Sequence, residues 1–381
     1  MMRIGIMLRA FDEKGGISVY AQNIVKELLR IDEQNHYVLF YRNKAHLGRF
    51  AHHSNVTEKV VRGANKVYWD QLAIPLACWR EKIDILFHPK FTAPLLAPCP
   101  VVMVVHGADW FIPEQARYYP PMDVWLTRRS MPLYFKKCRM VISVSQLTTD
   151  NFYEVLDLPP GKVQTVYFGP ARHFQRVTDL AALAEVRACY SLPDGFILTL
   201  TKLQGDGRKN LSQIFKAYAH YHHVTEQPLK LVVGGKDCHR FREIYNLSDD
   251  GYGKDILFPG WIDQADLPAV YSQADLFLYP SNLEAFPIPI TEAMACGTPI
   301  VTSNVNGLVE IAGDAAVFVN PHDSEAIADA ICRVLDDEAL QERLSKKGLA
   351  RSTQFNWERC AAETLAILES VVAARAKVYV H

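Results

Sequence analysis

The stretch Pro280–Ile300, PSNLEAFPIPITEAMACGTPI, decides how this chain is read. It sets Glu284 in a loop eight positions before Glu292, which falls on a short helix. Pro289 suits the first helical turn, where its missing N–H costs nothing, and Gly297 with Pro299 marks the stop, so the helix is about two turns long. The preceding segment, SQADLFLYPS (Ser272–Ser281), reads as a buried strand, and IVTS (Ile300–Ser303) reads as the next one. Both carboxylates then lie at the carboxyl edge of a parallel sheet, which is where ligands bind in open α/β sheets.

Working outward, the same alternation fills the second half of the chain. FILTLT (196–201), LKLVVGG (229–235), DILFPG (255–260) and AAVFV (315–319) read as strands. NLSQIFKAYAHYHH (210–223), QADLPAVYSQA and SEAIADAICRVL read as helices, the last capped by Asp323 or Ser324. The first half repeats the pattern. RIGIM (Arg3–Met7) is followed by the loop RAFDEKGGIS and a helix in which Ile17, Tyr20, Ile24, Leu28 and Ile31 recur at helical spacing. Further strands are predicted at 36–41, 84–88, 101–106, 140–145 and 163–167. The unpatterned FGPARHFQRV that follows marks a domain boundary. Apolar runs separated by helical segments mean parallel sheets covered on both faces. The expected fold is therefore α/β, with two Rossmann-like doubly wound parallel-sheet domains facing across a cleft. Residues 1–170 form the first domain, and 171–356 the second. The terminal helix, Trp357 to about Arg375, carries Ala361, Leu365, Leu368 and Val372 on one face, so 357–381 is expected to complete the first domain.

Composition narrows the class. At 381 residues the chain suits two domains, and 49% hydrophobic with 22% charged residues is ordinary for a soluble globular protein. No apolar run is long enough for a membrane span, and MMRIGIMLRAFDE lacks the apolar core of a signal peptide. A cytoplasmic location is expected. The eight cysteines form no CxxC pair and read as reduced core thiols. Residues 1–170 hold 21 Lys and Arg against 15 Asp and Glu, and the remainder 20 against 27. This split argues against a nucleic-acid binder, whose positive charge would form one dominant patch. It leaves room for an anionic surface on the first half. Trp125–Arg139, WLTRRSMPLYFKKCR, interleaves five cations with aromatic and aliphatic side chains. It reads first as a solvated helix face over a core stripe, and second as a peripheral contact with the inner membrane face.

Gly15 and Gly16 fall at a strand-to-helix turn, where a backbone without Cβ atoms can approach a phosphate at the free N–H groups of the helix start. His106, at the end of VVMVV, sits at another carboxyl edge. In the second half, TKLQGDGRKN places Lys202, Arg208 and Lys209 in the loop after the first strand. Three cations in so short a loop are what a diphosphate needs, while a carboxylate can accept the vicinal hydroxyls of a ribose or hexose. The chain holds no Asp-x-Asp pair, no HExxH and no His/Cys cluster with metal-ligand spacing. A sugar-diphosphate enzyme built this way neutralises its leaving group with side chains and helix N-termini, and it uses neither metal nor cofactor.

With those residues in view, the chain resembles family four of the retaining nucleotide-sugar glycosyltransferases, the group 1 GT-B enzymes, over nearly its whole length. The likeness is carried by the Glu-x7-Glu pair Glu284 and Glu292 inside EAFPIPITEAMACGTPIV, by the preceding ADLFLYPS, and by GLVEIAGDAAVFVNPHDSEAIADAI. The RKN loop and the N-terminal GG turn complete it. The resemblance implies that Glu292 binds the ribose hydroxyls and Glu284 those of the donor sugar, beside a loop of Ala285, Phe286, Pro287 and Ile288. Arg208, Lys209 and Lys202 would hold the diphosphate, with Gly16 closing on it and His106 near the reacting side of the sugar. The base would be met around Gly260 and Trp261. Transfer would retain configuration by a front-face route, the leaving phosphate helping to deprotonate the acceptor hydroxyl. The donor implied is a nucleotide sugar, UDP-glucose being the favoured choice, and the acceptor a glycan or lipid-linked saccharide. A sucrose-synthase or phosphorylase type of enzyme and a catalytically idle nucleotide-sugar binder are the alternatives. Two departures stand out. Pro287 replaces the family's usual glycine and has no N–H to give, and Lys202, where many members carry arginine, offers a point charge without the bidentate fork.

Overall fold

A computed structural model describes residues 1–13, 15–201, 207–248 and 250–378, without the side chains of residues 306 and 376–378. Lys202 lies outside the described residues. The chain divides into two compact units, Met1–Phe168 with Trp357–His381, and Gly169–Asn356.

The first unit is built on seven strands, β1 (Arg3–Met7), β2 (His36–Tyr41), β3 (Val56–Val60), β4 (Ile85–His88), β5 (Val101–Val105), β6 (Met140–Ser143) and β7 (Val163–Thr165). They pair in parallel in the order β3-β2-β1-β4-β5-β6-β7. The central strands are continuous apolar runs because helices cover both faces. β3, VTEKV, was not among the expected strands. It lies at the sheet edge and is nowhere fully buried, so its mixed polar sequence carries no core signal. The helix from Trp357 packs in this unit: Trp357 meets the Tyr20 ring at 5.4 Å, and Glu358 pairs with Arg30 at 2.8 Å.

The second unit carries β8 (Phe196–Leu200), β9 (Lys230–Gly234), β10 (Ile256–Gly260), β11 (Leu276–Tyr279), β12 (Ile300–Ser303) and β13 (Val317–Val319), all parallel in the order β10-β9-β8-β11-β12-β13. Strand order therefore reverses between β1 and β4 in one unit and between β8 and β11 in the other. Such a reversal opens a crevice at the carboxyl edge of the sheet. In the second unit that crevice is flanked by the loop after β8, which bears Arg208 and Lys209, and by the loop after β11, which bears Glu284. Helices Gln146–Val155, Leu180–Tyr190 and Glu338–Ser352 add to the expected set.

Candidate active site

The two loops at the second unit's crevice are fastened to each other by their backbones. The Arg208 carbonyl accepts from the Asn282 N–H at 2.8 Å and the Ser281 hydroxyl at 2.7 Å, and the Asn282 amide donates to the Gly207 carbonyl at 2.9 Å. Asn210 adopts a left-handed conformation, φ 59°, and its buried side chain donates to the carbonyls of Pro280 (2.9 Å) and Pro321 (2.6 Å). Residues 207–210 are thus tied to the acidic loop.

Within it, Glu284 is buried and heavily engaged. Its Oε1 accepts from Lys209 Nζ at 2.5 Å and from the Tyr279 hydroxyl at 2.9 Å, with the Ser281 hydroxyl oxygen 3.1 Å away, while Arg208 stands 3.7 Å from Oε2. Burial by itself would raise the carboxyl pKa. The Lys209 ammonium and the Arg208 guanidinium outweigh it and hold Glu284 below the ordinary value. Lys209 also donates to the Tyr279 oxygen. An ammonium has three N–H groups, and the third has no partner among the described residues. A phosphate oxygen could take it without disturbing the pair.

Glu292 behaves differently. It lies on the helix Ile288–Cys296, buried, with the Tyr271 hydroxyl donating to Oε2 at 3.1 Å. Burial pushes its pKa up to about 7, only partly offset by the tyrosine. The two glutamates of the pair therefore stand in opposite electrostatic settings, one ionised against cations and the other poised near neutrality. Gly297 closes the helix in a left-handed conformation, φ 74°, as its sequence position predicts.

The first turn of this helix has a property the sequence foreshadowed only in part. Pro287 and Pro289 have no N–H, the Ile288 N–H is turned to the Phe286 carbonyl at 3.1 Å, and that of Ile290 to the Pro287 carbonyl at 3.0 Å. No backbone donor of residues 287–290 is left for an anion or a sugar. Phe286 is turned inward, its ring 6.0 Å from that of Phe355, so its side chain supports the loop instead of facing a ligand. Ala285 and Ile288 are partly exposed. The Gly307 N–H donates to the Glu284 carbonyl at 2.9 Å, and a Cβ on residue 307 would stand 2.4 Å from the Ala285 carbonyl oxygen. Only glycine lets this backbone come so close to the loop. Gly260 ends β10 with φ 87°, and Trp261 beside it is exposed, its indole N–H donating to Asp263 at 3.1 Å.

The candidate residues of the first unit form their own group. Gly15 has φ 118°, which excludes other residues, and it precedes the helix Gly16–Ile31. A Cβ at Gly16, in contrast, would meet nothing within 4 Å. Tyr20 of that helix stands edge-on to His106 at 4.9 Å. His106 Nε2 lies 3.1 Å from the Pro89 carbonyl, which can only accept, so Nε2 carries the hydrogen. Burial lowers the pKa of the ring to about 4, leaving a neutral imidazole whose Nδ1 is an acceptor. Nearby, Arg9 pairs with Asp70 through two 3.1 Å contacts, and Lys90 pairs with Glu13. Two cations of this positively charged half are thereby neutralised in its interior.

With this geometry in place, the sequence matches two family models, Glycosyl transferases group 1 over residues 187–351 and Glycosyltransferase Family 4 over residues 14–169. The chain belongs to the group 1 glycosyltransferases. Among curated relatives, the O-antigen chain mannosyltransferase B of Escherichia coli is 27% identical over 75% of this chain and 74% of its own length. The serotype-specific mannosyltransferase WbdA of the same organism is 30% identical over 60% of this chain but only 28% of its own. Among solved structures, the sucrose-phosphate synthase of Thermosynechococcus elongatus superposes with a TM-score of 0.76 at 20% identity, covering 98% of this chain and 100% of that one. Anabaena HepE, in complex with UDP and glucose, does so with 0.76 at 17%, covering 97% and 100%. At such identities the structures establish the GT-B fold.

Two tyrosines that touch the glutamates, Tyr279 and Tyr271, were not among the residues expected from sequence. Tyr279 ends the apolar run of β11 and Tyr271 sits in a mostly apolar helix, so both read as core, and their rings are indeed buried. What distinguishes them is the hydroxyl, aimed at Glu284 in one case and at Glu292 in the other. A polar tip at the carboxyl end of a strand that is otherwise apolar was the available signal for Tyr279.

Proposed function

We propose that this chain is a metal-independent, retaining hexosyltransferase that moves a sugar from a nucleotide diphosphate donor to a hydroxyl of a glycan or lipid-linked saccharide. The observation that carries the reading is the rigid pairing of Lys209 and Arg208 with Glu284 at the carboxyl edge of the second sheet, Glu292 standing apart on the adjoining helix. Lys209 keeps one N–H for a phosphate oxygen. Charge grows on the departing diphosphate as the glycosidic bond breaks, so a cation already held in place favours the transition state over the ground state. Glu284 offers its carboxylate to the sugar hydroxyls and Glu292 to the ribose. No side chain serves as a nucleophile, and the leaving phosphate takes the acceptor proton.

Breadth of use among nucleotide sugars favours UDP-glucose as donor, whereas the mannosyltransferase relatives favour a mannosyl donor. The relatives match this chain more specifically, and mannose is the sugar proposed. The deciding experiment offers GDP-mannose, UDP-glucose and UDP-galactose to the purified protein, follows release of the nucleoside diphosphate with and without acceptor extracts, and assigns the product anomer by NMR. Turnover of none of the three overturns the transferase reading, and an inverted anomer overturns retention.

A further inference from the structure

The exposed apolar surface of this chain is concentrated in one region. Among the described residues, eleven exposed large apolar side chains fall between residues 67 and 133, against five in the whole second unit. They gather on the helix Ile74–Arg80 with the turn before it, on the loop ahead of β5, and on the helix Pro121–Lys137. The two helices are crossovers from β3 to β4 and from β5 to β6, both advancing in the same direction across the sheet. Right-handed crossovers that advance the same way lie on the same face. Their inner sides, Ile74 and Cys78 on one, Met131 and Phe135 on the other, accordingly enter a single core cluster. Their outer sides belong to one layer, and the loop between stitches them together. The Leu95 N–H donates to Gln71 at 2.8 Å, Lys137 donates to the Ala97 carbonyl at 2.8 Å, and Pro98 lines a groove with Trp79.

On the helix Pro121–Lys137, Met122, Leu126, Arg129, Leu133 and Lys136 recur every three or four residues and are all exposed, away from Met131 and Phe135. Trp125 is 57% exposed, with the Arg129 guanidinium 5.8 Å from its ring, and on the companion element Trp79 is 70% and Leu96 66% exposed. Residues 121–139 carry five cations and a single acid, Asp123, and Arg80 and Lys82 add exposed charge beside Trp79.

We propose that this two-helix face docks on an anionic lipid bilayer. Trp79, Leu96, Trp125 and Leu133 enter the headgroup region, and Arg80, Lys82, Arg128, Arg129 and Lys136 meet lipid phosphates. Two exposed tryptophans set among cations match the amphipathic demands of a membrane interface. A second copy of the chain is a poor occupant, since a two-fold contact pairs the patch with itself and sets cation against cation. The sequence pointed to residues 125–139 alone. The structure adds Leu72 to Trp79 and Leu96, giving the face two insertion points in place of one.

The test is co-sedimentation of the full chain with vesicles of phosphatidylglycerol and phosphatidylcholine, or of phosphatidylcholine alone, at low and high salt. Binding is expected to the anionic vesicles only and to weaken with salt. Each surface cation contributes about a fivefold gain in partitioning, so Arg129→Gln with Lys136→Gln lowers the partition coefficient about thirtyfold. Trp79→Ser with Leu96→Ser weakens it as well. Because these side chains are exposed, circular dichroism and donor turnover stay at wild-type level in both variants. The proposal is overturned by absence of binding at low salt, by equal binding to both vesicle types, or by wild-type binding of the Trp79→Ser/Leu96→Ser protein. It is also overturned by a dimer in sedimentation velocity that these substitutions dissociate and vesicles leave intact. Partitioning requires no sugar transfer, so its failure leaves the transferase reading standing.

Discussion

Replacing Lys209 with methionine isolates the contact on which the candidate site depends. Methionine keeps most of the stem's packing and removes the ammonium 2.5 Å from Glu284, leaving the buried carboxylate with Arg208 at 3.7 Å and the Tyr279 and Ser281 hydroxyls. Removing one partner of a fully buried pair costs about 3–5 kcal/mol. The Lys209 side chain is 28% exposed, so solvent already screens part of the interaction, and about 2–3 kcal/mol is the expected loss. Glu284→Gln costs less, about 1–2 kcal/mol, because the stranded ammonium can hydrate. In the double variant both charges of the Lys209–Glu284 contact are gone, and its loss should fall about 2 kcal/mol short of the sum of the singles. The pH dependence carries a sign. In the wild type the folded-state pKa of Glu284 is depressed, so its contribution is present above the ordinary carboxylate pKa and lost as pH falls through the folded value. In Lys209→Met burial is no longer outweighed, the folded pKa rises, and the penalty grows between pH 5 and pH 8. Urea unfolding of the four proteins at both pH values measures all of this. Additivity of the two substitutions within about 0.5 kcal/mol, or a penalty that shrinks with rising pH, would refute the reasoning.

Glu292, with a folded pKa raised to about 7, contributes stability below the ordinary carboxylate pKa that is lost as pH rises toward 7. Glu292→Gln should therefore stabilise the protein at pH 8, by about 2–3 kcal/mol in urea unfolding. The same titration should make donor binding tighten from pH 6 to pH 8, measured by calorimetry, and the substitution should abolish that trend. Gly16→Ala places a methyl group in open space at a helix start, so its melting temperature should stay within about 2 °C of wild type while donor turnover falls at least tenfold. Pro287→Gly restores one N–H ahead of the Ile288–Cys296 helix. It should cost about 0.4–1 kcal/mol through the unfolded chain and change the kcat ratio between glucosyl and mannosyl donors. Treatment with EDTA should leave the rate unchanged.

The fold was legible because parallel strands covered on both faces are continuous apolar runs. RIGIM, VVMVV and ADLFLY can hardly be read otherwise. What escaped is what lacks that signal. VTEKV lies at an edge with no fully buried residue, and the helix Gln146–Val155 buries only Thr148, Thr149 and Phe152, so neither carries an apolar period. The Trp125–Arg139 segment misleads for the opposite reason. Its apolar residues are abundant but divided, Met131, Phe135 and Cys138 buried and Trp125, Leu126 and Leu133 exposed, and periodicity alone cannot tell which stripe of a helix faces the core.

The site was legible as a list of charges but not as a circuit. Glu284, Arg208 and Lys209 stand 75 and 76 positions apart in sequence terms, and only the β8–β11 pairing brings their loops together. Tyr279 joins them as donor to the carboxylate and acceptor from the ammonium, a role no spacing rule reveals. The first turn of the Ile288–Cys296 helix shows the same limit from the other side. Pro287 announced one missing N–H, but the structure shows that Pro289 and two internal hydrogen bonds remove the rest. A helix start with no backbone N–H to spare at residues 287–290 fits the proposal that Lys209 and Arg208 take the diphosphate and Glu284 the sugar. On that proposal, discrimination among donors rests on side chains whose charge is fixed by one another, which is why the Lys209–Glu284 coupling is the quantity to measure first.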